Sequence, residues 1–176
     1  GRLYSAWCDK IFGNWREVTY LEASNVYHGT RLWKKDLHID NPDKSVTYSF
    51  MVADSENVFV ADKGAVLQLD GLTGDLVKTI PFDSILHIKW LAHQNGKLYA
   101  LLGDTATDTT YYSFARFKFR HGNTIRAYSL ALQSFVWTHN EQYNIDNREL
   151  GIASDDKLYY YATGSGLVSL NANNGN

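Results

Sequence analysis

The sequence predicts an all-β protein, a β-propeller built of four-stranded antiparallel blades. Two observations predict it. A turn-centred segment, clearest in LDGLTGDLVK at 69–78, recurs in phase along the 176 residues, and self-similarity at a period of roughly 20–50 residues marks a repeat architecture. The aromatic share is 14%, carried by 12 Tyr, 8 Phe and 5 Trp, while no stretch sustains a helical period; rings without helical spacing favour strands.

The recurring segment reads SNVYHGTRLW at 24–33, LDGLTGDLVK at 69–78, YSLALQSFVW at 128–137 and LNANNGN at 170–176. A short polar residue stands first: Asn25, Asp70, Ser129 and Asn171. Four positions later come Gly29, Gly74, Gln133 and Gly175, and four further on Trp33, Lys78 and Trp137. The spacing predicts a strand ending in a side chain that hydrogen-bonds the turn, a position of positive φ, and a returning strand closed by a ring.

A second landmark precedes each copy: GRLYSA at 1–6, ENVFVA at 56–61, GKLYAL at 96–101 and DKLYYY at 156–161. Before the last three lie the polar turns Asp54-Ser55-Glu56-Asn57, Gln94-Asn95-Gly96 and Asp155-Asp156-Lys157, and before those the strand candidates VTYSFMVA at 46–53, ILHIKWLA at 85–92 and RELGIAS at 148–154. Four strands per unit follow, with blades expected over roughly 1–40, 41–82, 83–141 and 142–176. NREL at 147–150 offers a single helical turn at most. Unit lengths differ through insertions at 9–18 and 103–123, expected as loops or an added hairpin on one rim. The first unit starts at its second strand and the fourth stops at its turn, so about fourteen strands stand where four blades need about sixteen. The expectation is an open piece of a seven- or eight-bladed propeller whose other blades lie in the same chain.

Bulk properties exclude several function classes. Lys+Arg 17 against Asp+Glu 19 leaves a charge of -2, no field for nucleic acid or anionic membrane. The basic stretch RFKFRHGN at 116–123 reads as a strand's solvent face. No apolar run approaches the ~18 residues of a membrane span. Cys8 is the only cysteine, which excludes an internal disulfide and a multi-thiolate zinc site.

With its aspartate, Thr-Gly turn and terminal tryptophan, the repeat resembles that of the pyrroloquinoline-quinone (PQQ) dehydrogenase-like β-propellers of bacteria, over nearly the whole chain. The resemblance implies that Trp33 and Trp137 dock on a neighbouring blade, stacked over its turn glycine, and that docking weakens where Lys78 and Gln133 replace the ring and the glycine. Enzymes of that family hold quinone and calcium on a platform that includes adjacent cysteines; this chain has one cysteine and no matching ligand set. It looks more like the family's non-enzymatic members, which bind protein or other ligands through rim loops. That implies a protein partner, no cofactor, and a periplasmic or cell-surface location. The alternatives are part of a PQQ- and calcium-dependent dehydrogenase whose site lies in other blades, and a glycan-binding propeller.

No residue stands out as catalytic or metal-ligating, and no cofactor-binding residue is assigned. His28, His38, His87, His93, His121 and His139 lack ligand spacing. Asp54 with Glu56 and Asp155 with Asp156 fall in strand-joining turns, which explain them better than acid–base chemistry does. The oxygen-rich stretches 40–43 and 103–110 lack the alternating acids of a calcium loop and are expected as solvated connections. Tyr111, Tyr112, Phe114, Phe117 and Phe119 in the second insertion are expected to pack on the blade, a ligand-stacking face being the alternative.

Overall fold

The computed structural model describes residues 1–11, 14–37, 50–104, 107–112, 115–153, 155–162 and 164–176, with side chains at 7–11, 14–19, 107–112, 115–120 and 147–149 left aside. The described residues form strands and turns, in two compact units, 1–81 and 82–176. No helix among them is long and apolar enough to cross a membrane.

In the first unit β1 (Arg2–Ile11), β2 (Asn14–Asn25) and β3 (Arg31–Leu37) form one antiparallel sheet in that order. A second sheet follows: β4 (Met51–Ala53), β5 (Asn57–Asp62), β6 (Ala65–Asp70) and β7 (Leu76–Pro81). Their facing sides bury Leu21 and Ala23 of β2 against Val58, Val60 and Leu69. The two-residue steps put these side chains on one face of their strands, which is why each sheet has an apolar side to bury. Each large aliphatic side chain so buried contributes about 1.5–3 kcal/mol. The insertion at 9–18 is a hairpin extension, since the β1–β2 ladder continues to Ile11↔Asn14. The strand expected over 46–53 is present as Met51–Ala53; 46–49, and the oxygen-rich stretch 40–43, lie outside the described residues.

The second unit contains β8 (His87–Gln94), β9 (Lys97–Gly103), β10 (Thr107–Tyr112), β11 (Ala115–Ser129), β12 (Ser134–Ile152), β13 (Lys157–Ala162) and β14 (Gly166–Asn171). One sheet runs β14-β13-β12-β11-β9-β8, and β10 pairs β11 as the added hairpin of the second insertion. The stretch 103–110, expected as a connection, enters strand at Thr107 because its threonines pair with 117–120 of β11.

Two strands that the sequence suggests as separate, the last of the third repeat and the first of the fourth, are one: β12. Its first part pairs β11 through Ala127↔Trp137, and its last part pairs β13 through Leu150↔Tyr160. Between them the β11 register jumps from Thr124↔Asn140 to Gly122↔Ile145, leaving 141–144 of β12 opposite Asn123 alone. Such bulges bend and twist a strand, and here one carries the chain from one repeat into the next without a break. The helical turn considered at 147–150 is therefore strand, drawn into the ladder by Leu150, which is buried opposite Tyr160.

Candidate functional site

The four turns are built alike. Asn25 Oδ1 accepts from the N–H of Tyr27 at 2.9 Å, Asp70 Oδ1 from Leu72 and Thr73 at 2.7 and 2.9 Å, Ser129 Oγ from Leu132 at 3.2 Å, and Asn171 Oδ1 from Asn173 at 2.8 Å. The two Asp70 bonds, Thr73's first, hold its carboxyl below the ordinary carboxylate range. Positive φ follows at all four expected positions: 65° at Gly29, 73° at Gly74, 52° at Gln133 and 76° at Gly175. The phase also shows in the backbone. The N–H after each polar residue donates to the turn or strand start before the Leu-Tyr strand: Val26 to Gly1 O, Gly71 to Glu56 O, Leu130 to Gly96 O and Ala172 to Asp156 O.

Gln133 occupies this left-handed position with a Cβ, at a cost of about 1 kcal/mol that glycine escapes. Gln133→Gly is expected to raise the denaturation midpoint, corresponding to roughly 0.5–1 kcal/mol, with an unchanged denaturant slope.

Each terminal tryptophan covers the turn of the following repeat. A Cβ on Gly74 would lie 2.7 Å from Trp33 Cε3, and one on Gly175 would lie 2.8 Å from Trp137 Cδ2. Trp33 Nε1 donates to Gly71 O at 3.2 Å, and Trp137 Nε1 to Ala172 O at 3.0 Å. The same carbonyls accept a second bond, from Tyr4 OH at 3.2 Å and Tyr99 OH at 3.1 Å. The Tyr–Trp ring centroids are 6.0 Å apart in both clasps. The tyrosine half of this clasp escaped the sequence reading. Its signal was a correlation: the first and third repeats carry both Tyr and Trp, whereas the second has Phe59 and Lys78, lacking hydroxyl and indole together.

Burial, and then the Asp156 charge, push the Tyr99 phenol up to about 12 from 10.0. The fold thus favours the neutral form, so the stability this group contributes is full below about 10 and is lost as pH rises towards about 12. The melting temperature is expected to fall over that window, and to fall less steeply in Tyr99→Phe.

The groups with the look of chemistry are engaged in the fold. Asp54 Oδ1 accepts from the N–H of Glu56 and Asn57 at 2.7 Å, making a turn of a suspected carboxylate pair. Asp83 accepts from Leu86 and Ile85 at 2.8 and 2.9 Å and pairs with Arg126 at 3.1 Å. Those bonds, Leu86's first, hold it below the ordinary carboxylate range. Arg126 also donates to Phe82 O. In the β12 bulge, Glu141 Oε2 accepts from Tyr160 OH at 2.9 Å, and His139 Nε2 stands 3.1 Å from that hydroxyl. Burial pushes Glu141 up, yet the Tyr160 hydroxyl and the Gln142 and Tyr143 N–H groups outweigh it, and the net shift is down. Tyr160 moves up, through burial and then Glu141. A fully buried neutral phenol bonded to a carboxylate is a staple between β12 and β13; the phenolate a catalytic base would need is disfavoured.

Among the described residues no three His, Cys, Asp or Glu side chains converge to hold a metal ion. The chain has one cysteine, so it does not itself carry the adjacent-cysteine pair that the resemblance associates with the quinone platform. The insertion aromatics 111, 112, 114, 117 and 119 lie outside the described side chains.

Three of the four turns leave a large apolar side chain open, beside exposed polar ones such as His28, Thr73 and Gln133. Tyr27, Leu72 and Leu132 stand at their tips, 78%, 67% and 70% exposed. In the first unit a groove of about 520 Å³ is lined by Arg2, Tyr4, Asn25, Leu32, Asp54, Ser55 and Leu72. Asn25 and Asp54 face it with side chains already bonded to their own turns, and Arg2 donates to Ser55 O.

No protein-family model matches the chain, and no curated protein sequence matches it. Solved structures do. BamB from Moraxella catarrhalis is similar over 89% of this chain and 44% of its own, with 14% identity and a TM-score of 0.54. Quinohemoprotein alcohol dehydrogenase ADHIIG from Pseudomonas putida HK5 is similar over 90% of this chain and 31% of its own, with 14% identity and a TM-score of 0.61. A europium-containing methanol dehydrogenase is similar over 99% and 38%, with 9% identity and a TM-score of 0.62. The chain thus spans less than half the length of these proteins. At such identities the likeness is one of fold, and the fold is that of PQQ-like β-propellers.

Proposed function

We propose that this chain is a non-catalytic scaffold segment of a propeller, which binds a protein partner through the turns of its first unit. The observation that carries the reading is the division of labour at the turns. The first polar residue of the first two turns is bonded inward, and large apolar side chains, Tyr27 and Leu72 in the first unit, are turned out. Exposed apolar side chains beside a groove suit association with protein. BamB, a structural neighbour, and the family resemblance support a scaffold at the periplasmic or cell-surface side. The dehydrogenase neighbours favour the second reading, an arc of a quinone enzyme whose site is formed by other blades.

Photo-crosslinking tests the first reading. A photoreactive residue at position 27 or 72 of the full-length protein, expressed in its own cells, is expected to give one discrete protein adduct, absent when the probe is at Thr79 on β7. Leu72→Glu is expected to remove the adduct formed from position 27. No adduct from either tip would refute the rim as a binding surface.

A further inference from the structure

We propose that Asn95–Gly96 is a site of spontaneous covalent modification, at which deamidation of Asn95 cuts a link between two hairpin turns of the second unit. The pair forms the two-residue turn between β8 and β9, closed by Gln94↔Lys97, with φ 49° at Asn95 and 69° at Gly96. Both residues are exposed, and a Cβ built on Gly96 would meet nothing within 4 Å. Among the described residues, neither the Gly96 N–H nor the Asn95 carbonyl has a backbone partner, so the peptide between them can rotate without breaking a ladder bond. Deamidation needs that freedom, and asparagine before glycine is where a chain is most labile, since no side chain shields the attacking nitrogen.

The chemistry requires water alone. The Gly96 nitrogen attacks Asn95 Cγ and gives up its proton; the new C–N bond closes a succinimide ring while the Cγ–Nδ2 bond breaks and ammonia leaves. Water then opens the ring at either carbonyl, giving aspartate or isoaspartate. What is lost is specific. Asn95 Nδ2 donates to Asp156 Oδ1 at 2.7 Å, tying the β8–β9 turn to the β12–β13 turn. After conversion a carboxylate faces that carboxylate, and attraction becomes repulsion. Gln94 Nε2 to Ala153 O at 3.1 Å holds the same pair of segments, and Lys97 Nζ to Asn173 Oδ1 at 2.7 Å ties the start of β9 to the turn after β14, so the effect is a loosening.

The chain carries its own control. Asn174–Gly175 is the same dipeptide, but the Gly175 N–H donates to Asn171 O at 2.8 Å and Trp137 covers the glycine. The test follows both sites by peptide mass spectrometry, reading the ~1 Da gain, in the intact chain incubated folded and in urea. Folded, Asn95 is expected to convert roughly tenfold faster than Asn174, the ratio set by the additional bond that must open there; in urea the two rates are expected to converge. Equal rates in the folded chain, or an unconverted Asn95 where the unfolded chain converts, would overturn the proposal. Asn95→Asp is expected to lower the melting temperature and Asp156→Asn added to it to restore most of the loss; no recovery would overturn the proposed consequence.

Discussion

Trp33→Ala and Trp137→Ala are each expected to lower the free energy of unfolding by about 3–5 kcal/mol, the largest effects of any single side chain in their units. Each indole is buried, covers a turn glycine, and donates to a carbonyl that a tyrosine also bonds. Truncation opens a ring-sized cavity and removes one of the two donors to that carbonyl, leaving the Tyr4 or Tyr99 hydroxyl. Trp33→Phe separates the two contributions. It keeps most of the packing and loses the hydrogen bond, and is expected to cost about 1–2 kcal/mol. Urea denaturation of the purified variants measures both; a Trp33→Ala cost within about 0.5 kcal/mol of zero, as is usual for surface sites, would remove the clasp from the account.

Gly74→Ala is expected to be severe where Gly29→Ala is mild. Both glycines have positive φ, so both substitutions carry the left-handed cost of about 1–2 kcal/mol. At Gly29 a Cβ would meet nothing within 4 Å, whereas at Gly74 it would lie 2.7 and 2.8 Å from Trp33 ring atoms. The ring is held by its own hydrogen bond, so relief requires displacing it, which adds about 1–3 kcal/mol of overpacking. The difference between the two midpoints isolates the contact, because the conformational part is common. Equal costs would mean that the indole yields without loss.

The repeat was legible because its turn needs particular residue types at fixed offsets. A short polar side chain, a position of positive φ and a ring are each dictated by local geometry, and even Gln133 adopts the left-handed conformation that its place in the series demanded. The tyrosine clasp was less visible because Tyr4 and Tyr99 are as well explained by strand propensity as by a hydroxyl meeting a carbonyl 67 or 73 residues away. The unbroken β12 was hidden for another reason. Its bulge over 141–144 is polar and reads as a loop, and only the pairing of the strands on either side keeps it extended. Of the acidic residues placed in strand-joining turns, Asp54 caps its own turn, whereas Asp155 and Asp156 accept from Tyr159 and Asn95. The exposed Tyr27, Leu72 and Leu132 carried no signal, because alternation does not tell which apolar residue at a tip will be left uncovered.

Several carboxylates, amides and hydroxyls, among them Asp54, Asp70, Asp83 and Tyr160, are committed to turns and staples, while Tyr27, Leu72 and Leu132 stand exposed at turn tips. One assay separates the scaffold reading from the quinone-enzyme reading. Dye-linked alcohol oxidation by the full-length protein, supplied with PQQ and calcium, is expected to show no turnover above the quinone alone. Saturable oxidation that depends on both additions would contradict the scaffold reading and place the chain among the dehydrogenases whose fold it shares.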